Sequence, residues 1–216
     1  MKQIVIFDLD GTLLDTIGDL AASCNEVLTK HNLPTHELEE YRHFVGNGIM
    51  RLVERALPED KRTPEFVAEV RADFVAHYTA NIDKHTAVYQ GITELLWTLK
   101  RREVTLAVAS NKFQEGTRKL VKRFFPDFSF AAVLGQRPDV PLKPHPHIIR
   151  EIIQITSYTP DKFLYIGDSG IDMETAKAAG VESVGVTWGF RSREELEQSG
   201  ANHIVDRPQD ILALLD

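Results

Sequence analysis

The sequence contains a single cysteine, Cys24, so no disulfide can form within the chain and no cysteine-based zinc site can be assembled. Cys24 lies beside Leu20, Ala21, Val27 and Leu28 in a helical pattern, which reads as core packing. Positive charge is also in short supply: 25 Lys+Arg stand against 32 Asp+Glu, a formal net charge of −7. Such a chain has no electrostatic attraction to nucleic acid or to an anionic membrane, and an anionic ligand would need local positive charge. No apolar run is long enough for a signal peptide or a membrane span, and the expected location is cytoplasmic. Internal repeats and low-complexity tracts are absent. The 216 residues suffice for one well-packed domain and a small second module, expected as a monomer or homodimer.

What is present is a series of short apolar runs. QIVIFDL (Gln3–Leu9), VTLAVA (Val104–Ala109), AAVL (Ala131–Leu134), FLYI (Phe163–Ile166), SVGVT (Ser183–Thr187) and His203–Val205 each read as a buried parallel strand. Amphipathic helical patterns separate them, over Ile92–Arg102, Glu115–Phe125, His145–Ile155, Asp172–Ala179, Arg193–Ser199 and Gln209–Leu215. This alternation predicts an α/β fold with a doubly wound parallel sheet. One interval breaks it. Between Thr16 and Lys84 no strand pattern occurs, and four helical stretches are predicted: Ile17–His31, Leu38–Phe44, Ile49–Leu57 and Pro64–Asn81. Residues 1–15 and 85–216 are therefore expected to form an α/β core, and 16–84 an inserted all-helical cap. Ligands of open α/β sheets sit beyond the carboxyl ends of the strands, where such an insertion would cover them.

Four motifs fall at those carboxyl ends. The first is Asp8-Leu9-Asp10-Gly11-Thr12-Leu13-Leu14-Asp15. Asp8 and Asp10 are two residues apart and face one way in extended backbone, and Gly11 permits a sharp turn after them. Two neighbouring carboxylates share a proton or a cation, so one can act as nucleophile while the other serves as acid and base. The second is Ser110-Asn111-Lys112, where a hydroxyl and a backbone N–H can hold a phosphate oxygen; the same residues are also ordinary turn chemistry. The third is Lys143-Pro144-His145-Pro146, whose prolines confine the backbone and present Lys143 as a point charge for a phosphate or aspartyl anion. His145 and His147 read as structural or exposed. The fourth is Gly167-Asp168-Ser169-Gly170-Ile171-Asp172. Asp168 can complete a magnesium site with Asp8, because Mg²⁺ prefers hard oxygen donors and retains several waters. Asp172 reads as a third ligand, as an orienting partner, or as the first-turn acid of a helix, with support favoured over ligation.

Together these motifs resemble the haloacid dehalogenase superfamily in order and spacing, over essentially the whole chain. The resemblance implies a Mg²⁺-dependent phosphatase. It implies that Asp8 attacks phosphorus, that Asp10 is the acid and base, and that the Asp10 carbonyl, Asp8 and Asp168 bind the metal. Ser110 and the Asn111 amide would hold phosphoryl oxygens, Lys143 would neutralise charge, and Ser169 and Asp172 would support the site. More narrowly, Val45-Gly46-Asn47-Gly48 with the following helix, and Val186-Thr187-Trp188-Gly189-Phe190 with Arg193-Glu194-Glu195-Leu196, resemble phosphoglycolate phosphatases. Backbone N–H groups at Gly46, Asn47 and Gly48 could meet the carboxylate of a small acid; a plain helix–helix turn is the alternative reading of this loop. The expected partner is a small phosphorylated metabolite, best matched by 2-phosphoglycolate. Pyrophosphate, nucleotides, sugar phosphates and a β-phosphoglucomutase-type transfer are the alternatives. A phospho-accepting receiver module shares the sheet and an acidic pair but lacks a long helical insertion after the first strand.

Overall fold

The computed structural model describes all 216 residues, Met1–Asp216. The chain divides into two compact units, Thr16–Ala87 and the pair of segments Met1–Asp15 and Val88–Asp216.

The unit Thr16–Ala87 contains helices α1 (Ile17–Lys30), α2 (Leu38–Phe44), α3 (Ile49–Ala56) and α4 (Pro64–Asn81). Helix α1 buries Leu20, Ala21, Cys24, Val27 and Leu28, spaced at three and four residues as an apolar stripe requires. Helix α2 opens on a capping box between Glu37 and Glu40, and α4 opens on Thr63, whose hydroxyl accepts the Phe66 N–H, with Pro64 at the first helical position. Phe74 and Tyr78 stack at 5.4 Å in the interior. Burial pushes the Cys24 thiol up to about 11, which makes it an inert packing group. Asp19, also buried, accepts the His85 and Thr86 N–H groups at 2.8 Å each and the Thr86 hydroxyl at 2.7 Å. Those bonds tie residues 85 and 86 into this unit, so its chain runs past Lys84.

The second unit is a six-stranded parallel sheet: β1 (Ile4–Phe7), β2 (Thr105–Phe113), β3 (Phe130–Gln136), β4 (Phe163–Gly167), β5 (Glu182–Val186) and β6 (His203–Val205). The spatial order is β3-β2-β1-β4-β5-β6, with every pairing parallel. The chain winds outward from β1 to β3, then returns to β4 and winds outward the other way. The strand order therefore reverses between β1 and β4, where open α/β sheets bind their ligands. Helices α5 (Ile92–Arg101), α6 (Gln114–Phe124), α7 (His147–Thr156), α8 (Gly170–Ala179) and α9 (Arg193–Gln198) connect the strands. One sheet face, with Ile4, Ile6, Ala107, Ala109, Ala132, Leu134, Phe163 and Tyr165 in strict alternation, packs on Ile148, Ile149 and Ile152 of α7 and Ala176 of α8.

Strand β2 and the C-terminal helix differ from their sequence pattern. Strand β2 does not stop at Ala109 but continues through Ser110, Asn111 and Lys112 to Phe113. Its register against β3 shifts between Ala109 and Phe113, so the polar triplet sits on an irregular strand end and not on a turn after it. The C-terminal helical pattern forms a 3₁₀ helix, Pro208–Leu214, in place of an α-helix.

Candidate active site

Strands β1 and β4 end side by side, and the first motif follows directly. The Asp8 N–H bonds to the Ile166 carbonyl at 2.8 Å, which holds the residue after β1 in line with β4. The chain then turns at Gly11, with φ +83°, a region that disfavours any side chain. A Cβ at Gly11 would lie 2.3 Å from Asp168 Oδ2, and one at Gly189 would lie 2.3 Å from the Asp168 Cβ. Asp168 is thus seated between two bare backbone segments. Its Oδ1 accepts the Thr12 hydroxyl at 3.3 Å and its Oδ2 the Phe190 N–H at 2.7 Å. Trp188, at the end of β5, donates its indole N–H to the Thr12 carbonyl at 3.0 Å, so it anchors the loop after β1.

Lys143 is the hub of the site. Its ammonium lies 3.0 Å from Asp8 Oδ1 and 2.7 Å from Asp172 Oδ1. It also donates to the Tyr165 hydroxyl at 3.0 Å and to the Ala109 carbonyl at 3.2 Å. Its backbone is fixed by Asn111, whose side chain accepts the Lys143 N–H at 2.9 Å and donates to the Lys143 carbonyl at 3.1 Å. Leu9 N–H and Lys143 Nζ both reach Asp8 Oδ1, at 2.7 and 3.0 Å. Ser110 Oγ accepts the Lys112 N–H at 3.2 Å, and its own O–H proton remains to be donated.

Asp172 caps α8. Its Oδ2 accepts the Ser169 N–H at 3.2 Å and the Ser169 hydroxyl at 2.6 Å, one half of a capping box. Its Oδ1 accepts Lys143 and the Tyr165 hydroxyl, each at 2.7 Å. A carboxylate offers about four lone-pair sites, and protein donors fill all of them. The side chain is fully buried. This geometry suits an orienting partner of Lys143 better than a metal ligand.

Carboxylate oxygens of Asp8, Asp168 and Asp172 lie within 4.8 Å of one another. Burial, and then the charges of Asp172, Asp168 and Asp10, hold the Asp8 carboxyl well above the ordinary carboxylate range; Lys143 opposes this without prevailing. Burial and Asp172 raise Asp168 to about 7, against the Phe190 N–H, Arg191 and Lys143. Burial works against the Lys143 ammonium, but Asp172 and Asp8 outweigh it and hold Lys143 above the ordinary lysine range. Lys112 bonds to Asp10 at 2.8 Å. Four carboxylates thus face two ammonium groups, and Arg191, which also bears on Asp168, is paired with Glu195 at 3.5 Å. The excess of negative charge, the all-oxygen donors and the burial fit a hard divalent cation.

Several contributors carried little signal in the sequence. Tyr165 lies within an apolar strand run, and only its hydroxyl, which needs a partner when buried, distinguishes it. Thr12 and the Asn111 side chain act through bonds to distant residues. Lys112 stood in the sequence as the third member of a turn-like triplet. In the helical unit, Gly46 and Gly48 have φ of +115° and +82°, and Gly48 precedes α3 as its N-cap. Arg55 donates to Asn47 Oδ1 at 2.9 Å and to the His43 and Phe44 carbonyls at 3.2 and 3.0 Å, which braces this loop.

A parallel sheet bearing carboxylates and a buried lysine at its switch point defines an α/β enzyme that acts on an anionic substrate. More particularly, the chain belongs to the haloacid dehalogenase-like hydrolase family, whose model matches residues 5–186. It is 32% identical over 218 residues to a phosphoglycolate phosphatase of Pseudomonas putida, covering 100% of this chain and 79% of that protein. It is 32% identical over 219 residues to a phosphoglycolate phosphatase of Haemophilus influenzae, covering 99% and 98%. Its fold matches the crystal structure of a predicted phosphoglycolate phosphatase from Haemophilus somnus with a TM-score of 0.90 at 29% identity, covering 100% and 98%. No helix is long and apolar enough to cross a membrane.

Proposed function

We propose that this hydrolase is a Mg²⁺-dependent phosphomonoesterase that releases phosphate from 2-phosphoglycolate through a phospho-aspartate on Asp8. The observation that carries the reading is the Asp8 carboxylate itself. Its Oδ1 is held by Leu9 N–H and Lys143, and its carboxylate lies within 4.8 Å of a carboxylate oxygen of Asp168. The names of relatives similar over the whole chain support the substrate.

Asp8 attacks phosphorus, an Asp8–phosphorus bond forms, and the bond to the glycolate oxygen breaks. Asp10 delivers a proton to that departing oxygen, then takes one from the water that attacks phosphorus and frees Asp8 and inorganic phosphate. Lys143 offsets charge as two anions approach, and the Ser110 hydroxyl and Asn111 amide hold phosphoryl oxygens. Bound by Asp8, Asp168 and the Asp10 carbonyl, Mg²⁺ would supply Lewis-acid neutralisation of the phosphate. Within the helical unit, the backbone N–H groups of Gly46-Asn47-Gly48, before α3, are the candidate group for recognising a small acid's carboxylate.

The test is phosphate release with Mg²⁺ from a panel of 2-phosphoglycolate, pyrophosphate, nucleoside monophosphates and hexose phosphates. Phosphoglycolate should have the highest kcat/KM, a chelator should stop release, and Asp8→Asn should abolish it while leaving the fold intact. Isomerisation of a hexose phosphate without free phosphate would replace this reading with a mutase.

A further inference from the structure

We propose that Lys112 is a positioning residue that fixes the Asp10 carboxylate for its two proton transfers, an inference that rests on the phosphatase reading above. Asp10 must serve two different atoms in turn, the leaving oxygen and the attacking water. Its side chain is only partly buried, 14% exposed, so packing alone constrains it weakly. Lys112 Nζ donates to both of its oxygens, at 2.8 Å to Oδ1 and 3.1 Å to Oδ2. Contact with both oxygens fixes the tilt of the carboxylate as well as its place.

The pair is not a surface ion pair of small worth. The Lys112 side chain is 2% exposed, and an ammonium is costly to bury unless it is paired. The backbone at Lys112 is braced in a way that aims this side chain. Its N–H donates to Ser110 Oγ at 3.2 Å, and its carbonyl accepts the Thr117 hydroxyl at 3.2 Å. The irregularity in β2 falls on the same residues. Gly135, on neighbouring β3, leaves the room it needs: a Cβ there would lie 2.5 Å from the Lys112 carbonyl oxygen. Lys143 already neutralises Asp8, so the second buried lysine has a different carboxylate to serve.

The experiment compares kcat and KM for 2-phosphoglycolate, with Mg²⁺, in the wild type, Lys112→Met, Lys112→Arg, Asp10→Ala and the Lys112→Met/Asp10→Ala double variant. Small misplacements of catalytic groups cost about 10²-fold, so kcat of Lys112→Met should fall by roughly that factor with KM unchanged. Lys112→Arg, which keeps a cation able to span both oxygens, should recover part of the loss. It also keeps the test decisive if melting curves show Lys112→Met to be unfolded. In the Asp10→Ala background, Lys112→Met should cost no more than about twofold, because a residue acting only through Asp10 has nothing left to position. Additive losses, a raised KM at unchanged kcat, or wild-type kcat in Lys112→Met would each overturn the assignment while leaving the phosphatase reading in place. Absence of phosphate release from the wild-type enzyme would instead remove the phosphatase reading.

Discussion

Asp172 and Asp168 are both buried carboxylates of one loop and helix start, yet their surroundings give them different work. Protein donors fill the lone pairs of Asp172, whereas Asp168 receives one hydroxyl and one amide and lies near Asp8. Asp168→Asn should therefore weaken Mg²⁺ affinity, read by titration calorimetry. Asp172→Asn should leave that affinity nearly intact and lower kcat, because Lys143 loses its closest counter-charge. Equal loss of metal affinity in both variants would contradict this division. Lys143→Ala should lower kcat by about 10²–10³-fold, the cost of a lost donor to developing negative charge. Asp8 and Asp168 were legible in the sequence because each directly follows an apolar strand run with a glycine close by, and Lys143 because Pro144 follows it. Tyr165 was not, because a buried tyrosine in an apolar run looks like packing until its hydroxyl partners are known. For Asp172 the sequence left three readings open, since only the count of donors around it separates them.

Among the elements, helix α1 and the strand end β2 show where local pattern suffices and where it does not. The four helices of Thr16–Ala87 follow from apolar spacing and from Pro and Gly punctuation. The boundary of that unit does not, because it depends on Asp19 reaching residues 66 and 67 positions further along. Asp19→Ala leaves two main-chain amides without their acceptor. It should destabilise the protein by on the order of 3 kcal/mol in urea unfolding, and a change under about 0.5 kcal/mol would show those bonds to be dispensable. Strand β2 was expected to end at Ala109 because the apolar run ends there. Pairing continues because Gly135 admits the irregular backbone, which hydropathy does not record. Ser169→Ala removes half of the α8 capping box at a cost of about 1 kcal/mol, and it should also lower kcat because it releases one side of Asp172.

For the whole molecule, the acidic cluster links stability, pH and metal. Asp168 holds its proton to about pH 7 in the folded protein, against an ordinary value of 3.8. The folded state therefore binds that proton more tightly than the unfolded chain. The resulting stabilisation is full below about pH 3.8 and is lost as pH rises through about 7, on the order of a few kcal/mol in all. On the proposed reading Mg²⁺ would compete for the same carboxylate, so stabilisation by the metal should grow across that window. Melting temperatures with chelator should fall from acidic to neutral pH more steeply in the wild type than in Asp168→Asn, and added Mg²⁺ should reverse the fall. A wild-type slope equal to that of Asp168→Asn would rule this out. The overall α/β architecture was legible from strand–helix alternation, and the placement of the site followed from where the motifs fell relative to strand ends. The crossing of the chain from β3 back to β4, which brings Asp168 beside Asp8, is a property of topology that periodicity does not encode. The measurement that bears most directly on the central claim is chemical trapping of the enzyme during turnover. Wild-type protein mixed with Mg²⁺ and 2-phosphoglycolate, quenched and reduced with borohydride, should carry a reduced carboxyl at Asp8 alone when its peptides are analysed by mass spectrometry. Unmodified Asp8 during undiminished phosphate release, or reduction at Asp10 or Asp168 instead, would contradict it.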